Sequence, residues 1–570
     1  MLRQLLGDET AQPQEERYTF TWPGKSQARN EAELTPELTL RPCPEDSLNF
    51  NATGNIYIEG DNLDALRVIR KSLRQKVKMI YIDPPYNTGN DFIYRDNFTA
   101  SREDYSRSEG STDSEGFRVI KNTVANGRIH SDWCSMIYAR LLVARDLLRH
   151  DGVIFISIDD NEQANLRKIC DEVFGERNFV AQLSWKGRGG RQDSKYFAVI
   201  HEYIVCYARS IADFKAGEDI NEGGSYPKYD EERGRYYKTQ LLRKWGSNSR
   251  RENRPNLYYP ITAPDGSEVY PMISADEEGC WRWGKGRMQE AIEAGRVEFV
   301  RQDNGTWIPY EKIYAPLEGE ERTKKYTTWI DDIPNGTETL KQLFATTPFD
   351  YPKSPELITR LMKMANLEPD SIILDFFSGS ATTAHAVMSL NAQDSGRRKF
   401  IMVQLPELCP EGSAFPTIAH IGRERIRRAG SNLTGDTGFR AFRVDTTNMA
   451  DVSRPIHEYS QATINDFAEN IKPGRSDLDL LFGHLLERGL SLSLPYSCED
   501  IRGFSVHTYG GDEVVACFSS EVPAEVFREI AGRKPKRALF RDKCFTDDAA
   551  KINARETFRT YSPATKFEVL

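Results

Sequence analysis

The chain has 570 residues, which is enough for about three domains and a sizeable core. Its net charge is −9, and no apolar run reaches the ~20 residues that would span a bilayer. Nine scattered cysteines without a Cys-x-x-Cys pair argue against a disulfide framework and against a zinc site. Together with an N-terminus that lacks an apolar signal segment, these features predict a cytoplasmic protein with no membrane segment and no metal.

Residues 1–45 are polar and show no period, which predicts an irregular arm. After them, Asn55 to Asp61 predicts a buried strand, Asn62 to Leu73 a helix with one apolar face, and Val77 to Ile82 the next strand. Strand, helix and strand form the βαβ unit of a parallel sheet, whose ligands lie at the carboxyl edge. The second strand delivers Asp83 to that edge.

An unusual tetrapeptide, Asp83-Pro84-Pro85-Tyr86, follows this strand. Two consecutive prolines fix two φ angles and remove two backbone donors, so the local carbonyls have no ladder partners. With the Asp83 carboxylate and the flat Tyr86 ring they form a rigid rim of acceptors with one stacking surface. This rim suits an exocyclic amino group on a planar base. Two bonds accepted from that amine, by Asp83 and the Pro84 carbonyl, would aim its nitrogen lone pair at an electrophile.

The tetrapeptide resembles the catalytic motif of the amino-methyltransferases of DNA, which reads Asp or Asn, then Pro-Pro, then Tyr or Phe. The resemblance implies that Asp83 to Tyr86 hold the target amine of a flipped base, and that S-adenosylmethionine is the cofactor. It also implies a contact between Asp61, which ends the preceding strand, and the adenine of the methyl donor. A turn-forming role explains Asp61 equally well.

The rest of the first half continues the α/β pattern. Ser131 to Arg149 predicts a helix, and Val153 to Ile158 predicts a buried strand. Phe179 to Trp185 and His201 to Tyr207 predict a further pair of strands. We assign residues 46–209 to the catalytic half of the core.

Two basic stretches are predicted to contact DNA. The first is the glycine loop after Trp185, where Lys186, Arg188 and Arg191 can approach phosphates closely. The second lies in residues 210–340, which interleave basic and aromatic side chains, do not follow an α/β pattern and predict an inserted target-recognition domain.

The window from Arg233 to Arg254 in this insert holds eight Lys or Arg and one acid. Such a concentration of charge favours nucleic acid as the partner. The alternative is a solvated basic face over a small aromatic core. The predicted DNA contacts of the insert are Arg243, Lys244, Arg250 and Arg251.

A tight turn of small residues follows in residues 341–450. The run from Ser371 to Thr383 predicts a buried strand, then a turn of small residues, then the start of a helix. Small residues let the backbone approach a ligand, and a helix N-terminus favours a carboxylate such as that of S-adenosylmethionine.

This turn is similar to the donor loop of the same family, so the resemblance makes residues 341–450 the donor-binding half of the core. The implied cofactor contacts are Asp375, Phe377, Ser378, Gly379, Ser380 and Thr382, with Lys353 and Gln404 outside the turn. The chain departs from the family twice. Ala381 replaces the second glycine of the loop, and Gln404 stands where the family often has an acid for the donor ribose. We expect Ala381 to be the first helical residue; a positive φ there would cost about 1 kcal/mol.

The amine-binding tetrapeptide precedes the donor loop, an order that resembles the β-type amino-methyltransferases. The length of the chain and its inserted domain resemble, more narrowly, those of the modification subunits of type III restriction-modification systems. The expected fold is an α/β, Rossmann-like S-adenosylmethionine-dependent methyltransferase core with permuted motifs, an inserted DNA-recognition domain and a small C-terminal α+β domain. The resemblance implies a homodimer that acts on double-stranded DNA with a restriction subunit carrying helicase and nuclease activity. Residues 451–570 are expected to serve oligomerisation or partner docking, and a structural cap is an equal alternative.

The predicted activity is methylation of adenine N6 in duplex DNA. Methylation of cytosine N4 is a rival because the same rim accepts either amine, although Asp83 rather than Ser favours adenine. Methylation of a protein glutamine amide goes with Asn-Pro-Pro-Tyr and without a basic insert. A DNA-binding scaffold that recruits a nuclease is the rival from another class, and Ala381 and Gln404 keep it open.

Overall fold

The computed structural model describes residues 19–88, 125–187, 196–220, 225–274, 276–317, 323–450 and 471–570. The chain forms two compact units, one of Met1–Gly217 with Tyr326–Leu570 and the other of Glu218–Lys325. The second unit is shorter than the predicted insert, residues 210–340.

The α-helices of the described residues are α1 (Lys25–Glu33), α2 (Asn62–Leu73), α3 (Ala125–Leu147), α4 (Gln163–Cys170), α5 (Lys285–Glu293), α6 (Gly336–Phe344), α7 (Pro355–Met364), α8 (Thr382–Asp394), α9 (Ile418–Gly430), α10 (Asp477–Glu487), α11 (Ala524–Gly532) and α12 (Asp548–Tyr561). The strands of the first half are β1 (Leu38–Pro42), β2 (Ile56–Glu59), β3 (Val77–Ile82), β4 (Leu148–Ile158), β5 (Phe179–Trp185) and β6 (Glu202–Ala208). Those of the second unit are β7 (Glu218–Ile220), β8 (Lys228–Asp230), β9 (Arg235–Leu241), β10 (Ile261–Thr262), β11 (Glu268–Val269), β12 (Met272–Ser274), β13 (Glu277–Glu278), β14 (Val297–Arg301), β15 (Trp307–Tyr314) and β16 (Thr323–Lys325). The remaining strands are β17 (Trp329–Ile330), β18 (Ile372–Asp375), β19 (Lys399–Gln404), β20 (Arg440–Thr446), β21 (Tyr496–Ile501), β22 (Phe504–Tyr509), β23 (Val514–Cys517), β24 (Arg537–Phe540) and β25 (Lys566–Val569).

A ten-stranded sheet organises the first unit, in the order β1-β20-β2-β19-β18-β3-β4-β6-β5-β17. Its six strands from β20 to β4 are parallel to one another. Every residue of β2 and β3 is buried, as expected for parallel strands with helices on both faces. This is the predicted α/β architecture. It also places β18, the strand before the donor turn, directly beside β3, the strand before the tetrapeptide.

The prediction of an irregular arm over residues 1–45 is wrong from Lys25 onward. Helix α1 packs on α3, and β1 pairs antiparallel with β20 at the edge of the sheet. Only Ala28 and Ala32 of α1 are buried, so the helix contacts the core through two small residues and shows no apolar period in the sequence. Residues 1–18 lie outside the described part of the chain.

The βαβ unit of the first half is confirmed by β2, α2 and β3. The strand pair after it is confirmed by β5 and β6, which are antiparallel. Helix α3 begins at Ala125 rather than at the predicted cap Ser131. It ends at Leu147, and β4 begins at the next residue.

The second unit contains a four-stranded antiparallel sheet in the order β14-β15-β9-β8. The predicted hairpin around Asp265-Gly266 is confirmed by the pairing of β10 with β11. Large aromatic side chains, including Tyr259, Trp281 and Trp283, form the centre of its apolar core. Many of the aromatic residues that interleave with basic ones in the sequence therefore serve packing.

The C-terminal residues form a sheet of five strands, β21 to β25, with α11 and α12 beside it. This is the predicted α+β arrangement. Helix α10 buries Leu481, Phe482 and Leu485 in the same apolar cluster as the core of the large sheet. Among the described residues, no helix combines the length and the apolar character that a membrane span requires.

Candidate active site

A cavity of about 720 Å³ lies where several parallel strands of the first unit end. Its volume falls within the range of ligand pockets, about 300–1,000 Å³. The lining includes the tetrapeptide Asp83-Pro84-Pro85-Tyr86 after β3, Phe377 and Gly379 after β18, and Gln404 at the end of β19. The segments predicted to bind the amine and the methyl donor therefore share one cavity.

The tetrapeptide is held in place by bonds from the helices beneath it. Trp133 of α3 donates its Nε1–H to the Pro85 carbonyl at 2.7 Å. Asn87 ends the turn with a φ of 58°, and its side-chain amide donates to the fully buried carboxylate of Glu162. The described residues provide no donor for the Pro84 carbonyl, which leaves this acceptor for a ligand.

Four polar side chains of the cavity wall, Asp83, Tyr86, Glu202 and Lys353, form one hydrogen-bonded group that we call the wall cluster. The Tyr86 hydroxyl donates to Asp83 Oδ1 at 2.8 Å and lies 3.1 Å from Glu202 Oε2. The Lys353 ammonium lies 2.8 Å from that hydroxyl. It also lies 3.1 Å from Glu202 Oε2 and 3.2 Å from Asp83 Oδ2, so one ammonium bridges two carboxylates.

Opposing influences set the protonation of the wall cluster. Burial raises the pKa of Asp83, the Lys353 charge opposes that shift, and the Glu202 charge adds to it; the net direction is upward. Burial acts to lower the pKa of Lys353, but the two carboxylates outweigh it and the pKa is raised. Lys353 is therefore protonated at neutral pH.

Glu202 was not among the predicted site residues. It is the first residue of β6, opposite Trp185 of β5, and it is only 6% exposed. An acid at the start of an otherwise apolar buried strand is the signal that could have identified it, because acids are seldom buried unless they are paired.

Lys353 was predicted as a cofactor contact, and the structure places its ammonium in the wall cluster, against the tetrapeptide. Its backbone carbonyl does reach the donor turn, where it accepts a bond from the Thr382 hydroxyl at 3.3 Å. Lys353 thus connects the two predicted segments.

Asp375 braces the donor turn from inside. Its carboxylate accepts bonds from the Phe377 N–H at 3.1 Å and from the Thr383 hydroxyl at 2.6 Å. It is 2% exposed and does not line the cavity, so its role in this structure is to shape the turn.

Burial raises the pKa of Asp375 to about 7. The folded protein therefore binds one proton more than the unfolded chain between about pH 4 and pH 7, and stability falls as pH rises through this window. Asp375→Asn should make the decline in unfolding temperature between about pH 5 and pH 7 shallower, as measured by scanning calorimetry.

Asp394→Asn is the matched control for this titration. The hydrogen bond from Arg398 lowers the pKa of Asp394, so this carboxylate titrates below the window and its replacement should leave the decline unchanged. An equal decline in the wild-type and Asp375→Asn proteins would contradict the assignment.

Gln404 holds Gly379 in position. Its Oε1 accepts the Gly379 N–H at 2.7 Å, while its Nε2 donates to the Leu405 carbonyl at 3.3 Å. Gly379 has a φ of 49°, and a Cβ added to it would lie 3.2 Å from the Phe349 ring. Glycine is therefore suited to this position both by its backbone conformation and by the space available.

Ala381 is not the first helical residue, so that expectation is wrong. It precedes α8 with a φ of 61°, in the left-handed region, and it is fully buried. The left-handed conformation costs about 1–2 kcal/mol. Burial of its methyl group returns about 0.8 kcal/mol, which offsets part of this cost.

A buried arginine lies under the donor turn. Arg425 of α9 donates from Nη1 to the hydroxyls of Ser380 and Thr382, at 2.9 and 2.6 Å. Within the described part of the chain, its Nε and Nη2 have no acceptor. Burial lowers its pKa to about 9, so it remains charged at neutral pH. The turn is thus positively charged from beneath, which suits an anionic ligand group.

The hydroxyls of Ser380 and Thr382 bond inward, and Ser378 also stays outside the cavity lining.

Asp61 does not line the cavity. Its carboxylate caps α2 by accepting the N–H groups of Leu63 and Asp64, and it pairs with Arg140 at 3.2 Å. The turn-forming alternative describes its position in this structure.

The predicted DNA contacts differ in what the structure says of them. Arg188 and Arg191 lie outside the described residues, and Lys186 is exposed directly after β5 and does not line the cavity. In the second unit, Arg250 pairs with Glu277 at 2.8 Å and Arg251 pairs with Glu278 at 2.7 Å. Two of the predicted cations are therefore largely neutralised by acids of β13.

A separate cavity of about 270 Å³ in the second unit brings three cations and a tryptophan together. It is lined by Lys244, Trp245, Arg254, Leu257 and Arg282. One of these cations, Arg282, pairs with Glu311 at 3.1 Å. Lys244 and Arg254 have no carboxylate partner among the described residues, and the Trp245 ring is 74% exposed. Arg243 does not line this cavity, and its backbone pairs with that of Trp281.

The sequence is similar to those of known proteins. A family model described as DNA methylase matches residues 77–408, more than half of the chain, and spans both the tetrapeptide and the donor turn. The type III restriction-modification enzyme EcoPI Mod subunit of Escherichia phage P1 is 32% identical, over 97% of this chain and 91% of that protein.

Further relatives show the same pattern. The EcoP15I Mod subunit of Escherichia coli is 30% identical, again over 97% of this chain and 91% of that protein. The type II methyltransferase M.KpnI of Klebsiella pneumoniae is 33% identical, over 62% of this chain and 81% of that protein. The chain therefore belongs to the DNA methylase family and, within it, to the Mod subunits of type III restriction-modification enzymes.

Proposed function

We propose that this protein transfers a methyl group from S-adenosylmethionine to the N6 amino group of adenine in duplex DNA. The observation that carries the proposal is the single cavity lined by both the acceptor rim at Asp83 and the donor turn at Gly379. Membership of the DNA methylase family supports the same reaction class.

The residues of the rim have distinct roles in this proposal. The Asp83 carboxylate and the Pro84 carbonyl accept the two protons of the target amine, and the Tyr86 ring stacks on the base. Flipping the base out of the duplex costs a few kcal/mol, which these contacts offset. Much of the rate enhancement then comes from holding two reactants in one orientation.

The donor site fits S-adenosylmethionine. This cofactor supplies an electrophilic methyl group when it is bound. Phe377, Gly379 and Gln404 line the cavity where it would lie, and the positive charge of Arg425 beneath the turn favours its carboxylate. The other predicted contacts of the turn, Asp375, Ser378, Ser380 and Thr382, support its shape in this proposal and do not bind the cofactor directly.

Analysis of the modified base tests the proposal. Plasmid DNA methylated by the protein is digested to nucleosides and separated by mass spectrometry, and we expect N6-methyladenine. Detection of N4-methylcytosine alone would establish the rival base. Absence of any methylated base, in a protein that shows no heat of binding with S-adenosylmethionine, would support the DNA-binding scaffold instead.

We further propose that the DNA contacts of the second unit centre on Lys244, Trp245 and Arg254 rather than on Arg250 and Arg251. Unpaired cations release counterions when they meet phosphates, whereas paired ones must first lose their acids. Trp245, exposed beside the two unpaired cations, offers a face on which a base can stack.

The salt dependence of DNA binding distinguishes the pair Lys244 and Arg254 from the pair Arg250 and Arg251. Replacing Lys244 and Arg254 with alanine should reduce the slope of log affinity against log salt concentration by about 1.8, or 0.9 for each contact. The Arg250→Ala, Arg251→Ala double variant removes the same charge and should change the slope less. Equal slopes for the two double variants would contradict this assignment.

We propose that the protein acts with a restriction subunit, because its relatives are named Mod subunits of restriction-modification enzymes. From the family resemblance we further propose that the protein is a homodimer and that this partner carries helicase and nuclease activity. All nine cysteines are free, which supports a reducing, cytoplasmic location. Light scattering of the protein alone, and co-purification with a restriction subunit encoded beside it, test the two partnerships.

A further inference from the structure

We propose that Glu202 is a positioning residue for the methyl transfer: it anchors the Lys353 ammonium and the Tyr86 hydroxyl, and so keeps the Asp83 carboxylate available to the target amine. The inference rests on the proposed function. It assigns a role to a residue outside both the tetrapeptide and the donor turn.

The geometry of the wall cluster carries the inference. The Lys353 ammonium has three protons, and it lies 3.2 Å from Asp83, 3.1 Å from Glu202 and 2.8 Å from Tyr86. Its distances to the two carboxylates are nearly equal, so its charge is shared between them. Without Glu202, Asp83 would be the remaining carboxylate within reach, and the ammonium would compete with the amine for it.

Asp83 has enough acceptor sites for an amine proton even while it contacts Tyr86 and Lys353. Its Oδ1 accepts from Tyr86 and its Oδ2 from Lys353, and a carboxylate offers about four lone-pair sites. Asp83 can therefore accept an amine proton while Lys353 stays bound to Glu202 and Tyr86. Glu202 is 6% exposed and the Lys353 side chain 10% exposed, so water reaches these two partners only from the cavity side.

Glu202 also holds the orientation of the stacking ring. The Tyr86 hydroxyl lies 2.8 Å from Asp83 Oδ1 and 3.1 Å from Glu202 Oε2, so its one proton has an acceptor on either side and the polar end of the ring stays between the two carboxylates. The ionisable groups that influence Asp83 are Lys353, Glu202, Tyr86, Tyr81 and Asp375. Of these, Glu202 is the acid that directly contacts the same ammonium.

Kinetics of Glu202→Gln test the proposal. We expect kcat to fall roughly ten- to a hundredfold, as for a small misplacement of reacting groups, with a smaller change in the KM for S-adenosylmethionine. The acid limb of the pH profile of kcat should move to lower pH, because the negative charge that favours protonation of Asp83 is gone. Glu176→Gln, which removes one exposed carboxylate elsewhere in the same unit, is the matched control.

A second variant keeps the test informative if Glu202→Gln is unstable. Tyr86→Phe removes the hydroxyl that joins the two carboxylates and retains the ring. Glu202→Asp shortens the side chain and retains its charge, and should recover part of kcat. If Glu202 acts through the cluster, adding Glu202→Gln to Tyr86→Phe should cost less than it costs alone.

Two results would overturn the inference. One is a Glu202→Gln enzyme with the kcat and pH profile of the Glu176→Gln control. The other is strict additivity of Glu202→Gln and Tyr86→Phe with an unmoved acid limb. In either case the wild-type protein would still methylate DNA, whereas failure of the proposed function would leave the wild type itself without methylation.

Discussion

Replacing Asp83 with alanine is expected to remove most of the methylation activity while leaving the methyl donor bound. The substitution removes the acceptor of one amine proton, and loss of one such preorganised contact costs about 10²–10³-fold in rate. The donor turn is held separately, by Asp375 and Gln404, so its shape should survive. Incorporation of labelled methyl groups into DNA measures the first effect, and titration calorimetry with S-adenosylmethionine measures the second.

Tyr86→Ala should give the same pattern, because it removes the stacking face and not the donor turn. The control is Tyr229→Ala in the second unit, which removes an exposed tyrosine ring away from the tetrapeptide in sequence. Loss of donor binding in a folded Tyr86→Ala protein would contradict the assignment of the tetrapeptide to the amine.

Replacing Gln404 with leucine is expected to weaken donor binding strongly. The change leaves the partly buried Gly379 N–H without its acceptor, and an unsatisfied donor costs up to about 1–3 kcal/mol. If the turn relaxes to satisfy that group, affinity for S-adenosylmethionine should fall by about 5- to 150-fold. Calorimetry and the shift in unfolding temperature on adding the donor both report this loss.

Gln404→Glu is the matched variant, since its carboxylate can still accept the Gly379 N–H. It should keep most of the donor affinity, and it restores the acid that the resemblance associates with the donor ribose. Equal losses in the leucine and glutamate variants would show that the amide of Gln404 contacts the donor directly and that bracing of Gly379 is not its main role.

Much of the core architecture could be predicted from the sequence. Strands β2, β3 and β18 are short apolar runs that end in Asp or in a turn of small residues, and period and composition define such elements well. Helix α1 was missed because it contacts the core through two alanines, which leave no apolar stripe. The boundaries of the insert were also too wide, because β17 lies within the predicted insert and yet pairs with β5 in the main sheet.

Site residues could be predicted where they belong to one contiguous motif. They were missed where strands distant in sequence bring them together. The tetrapeptide and the donor turn are each local in sequence, so their chemistry could be inferred directly. Glu202 joins the wall cluster only because β6 lies beside β4, which lies beside β3. Pairing between strands distant in sequence is not encoded in any local period, and a single sequence therefore does not reveal it.

Charge patterns were informative about the segment and misleading about individual residues. The excess of cations between Arg233 and Arg254 is real, but Arg250 and Arg251 pair with acids that follow more than 20 residues later, in β13. Counting charges in a window cannot detect such partners. The exposed Trp245, beside unpaired cations, gives a more specific indication than the count.

The position of β3 between β18 and β4 also bears on how the protein is made. When a ribosome has produced the first half, β3 can pair with β4, but its other edge has no partner until β18 emerges. All six residues of β3 are buried in the folded protein, so its unpaired edge is apolar and exposed before β18 emerges. An exposed apolar edge strand is prone to pairing with other molecules. Nascent or truncated chains that stop before residue 372 should therefore depend on chaperones, whereas the complete protein protects this edge itself.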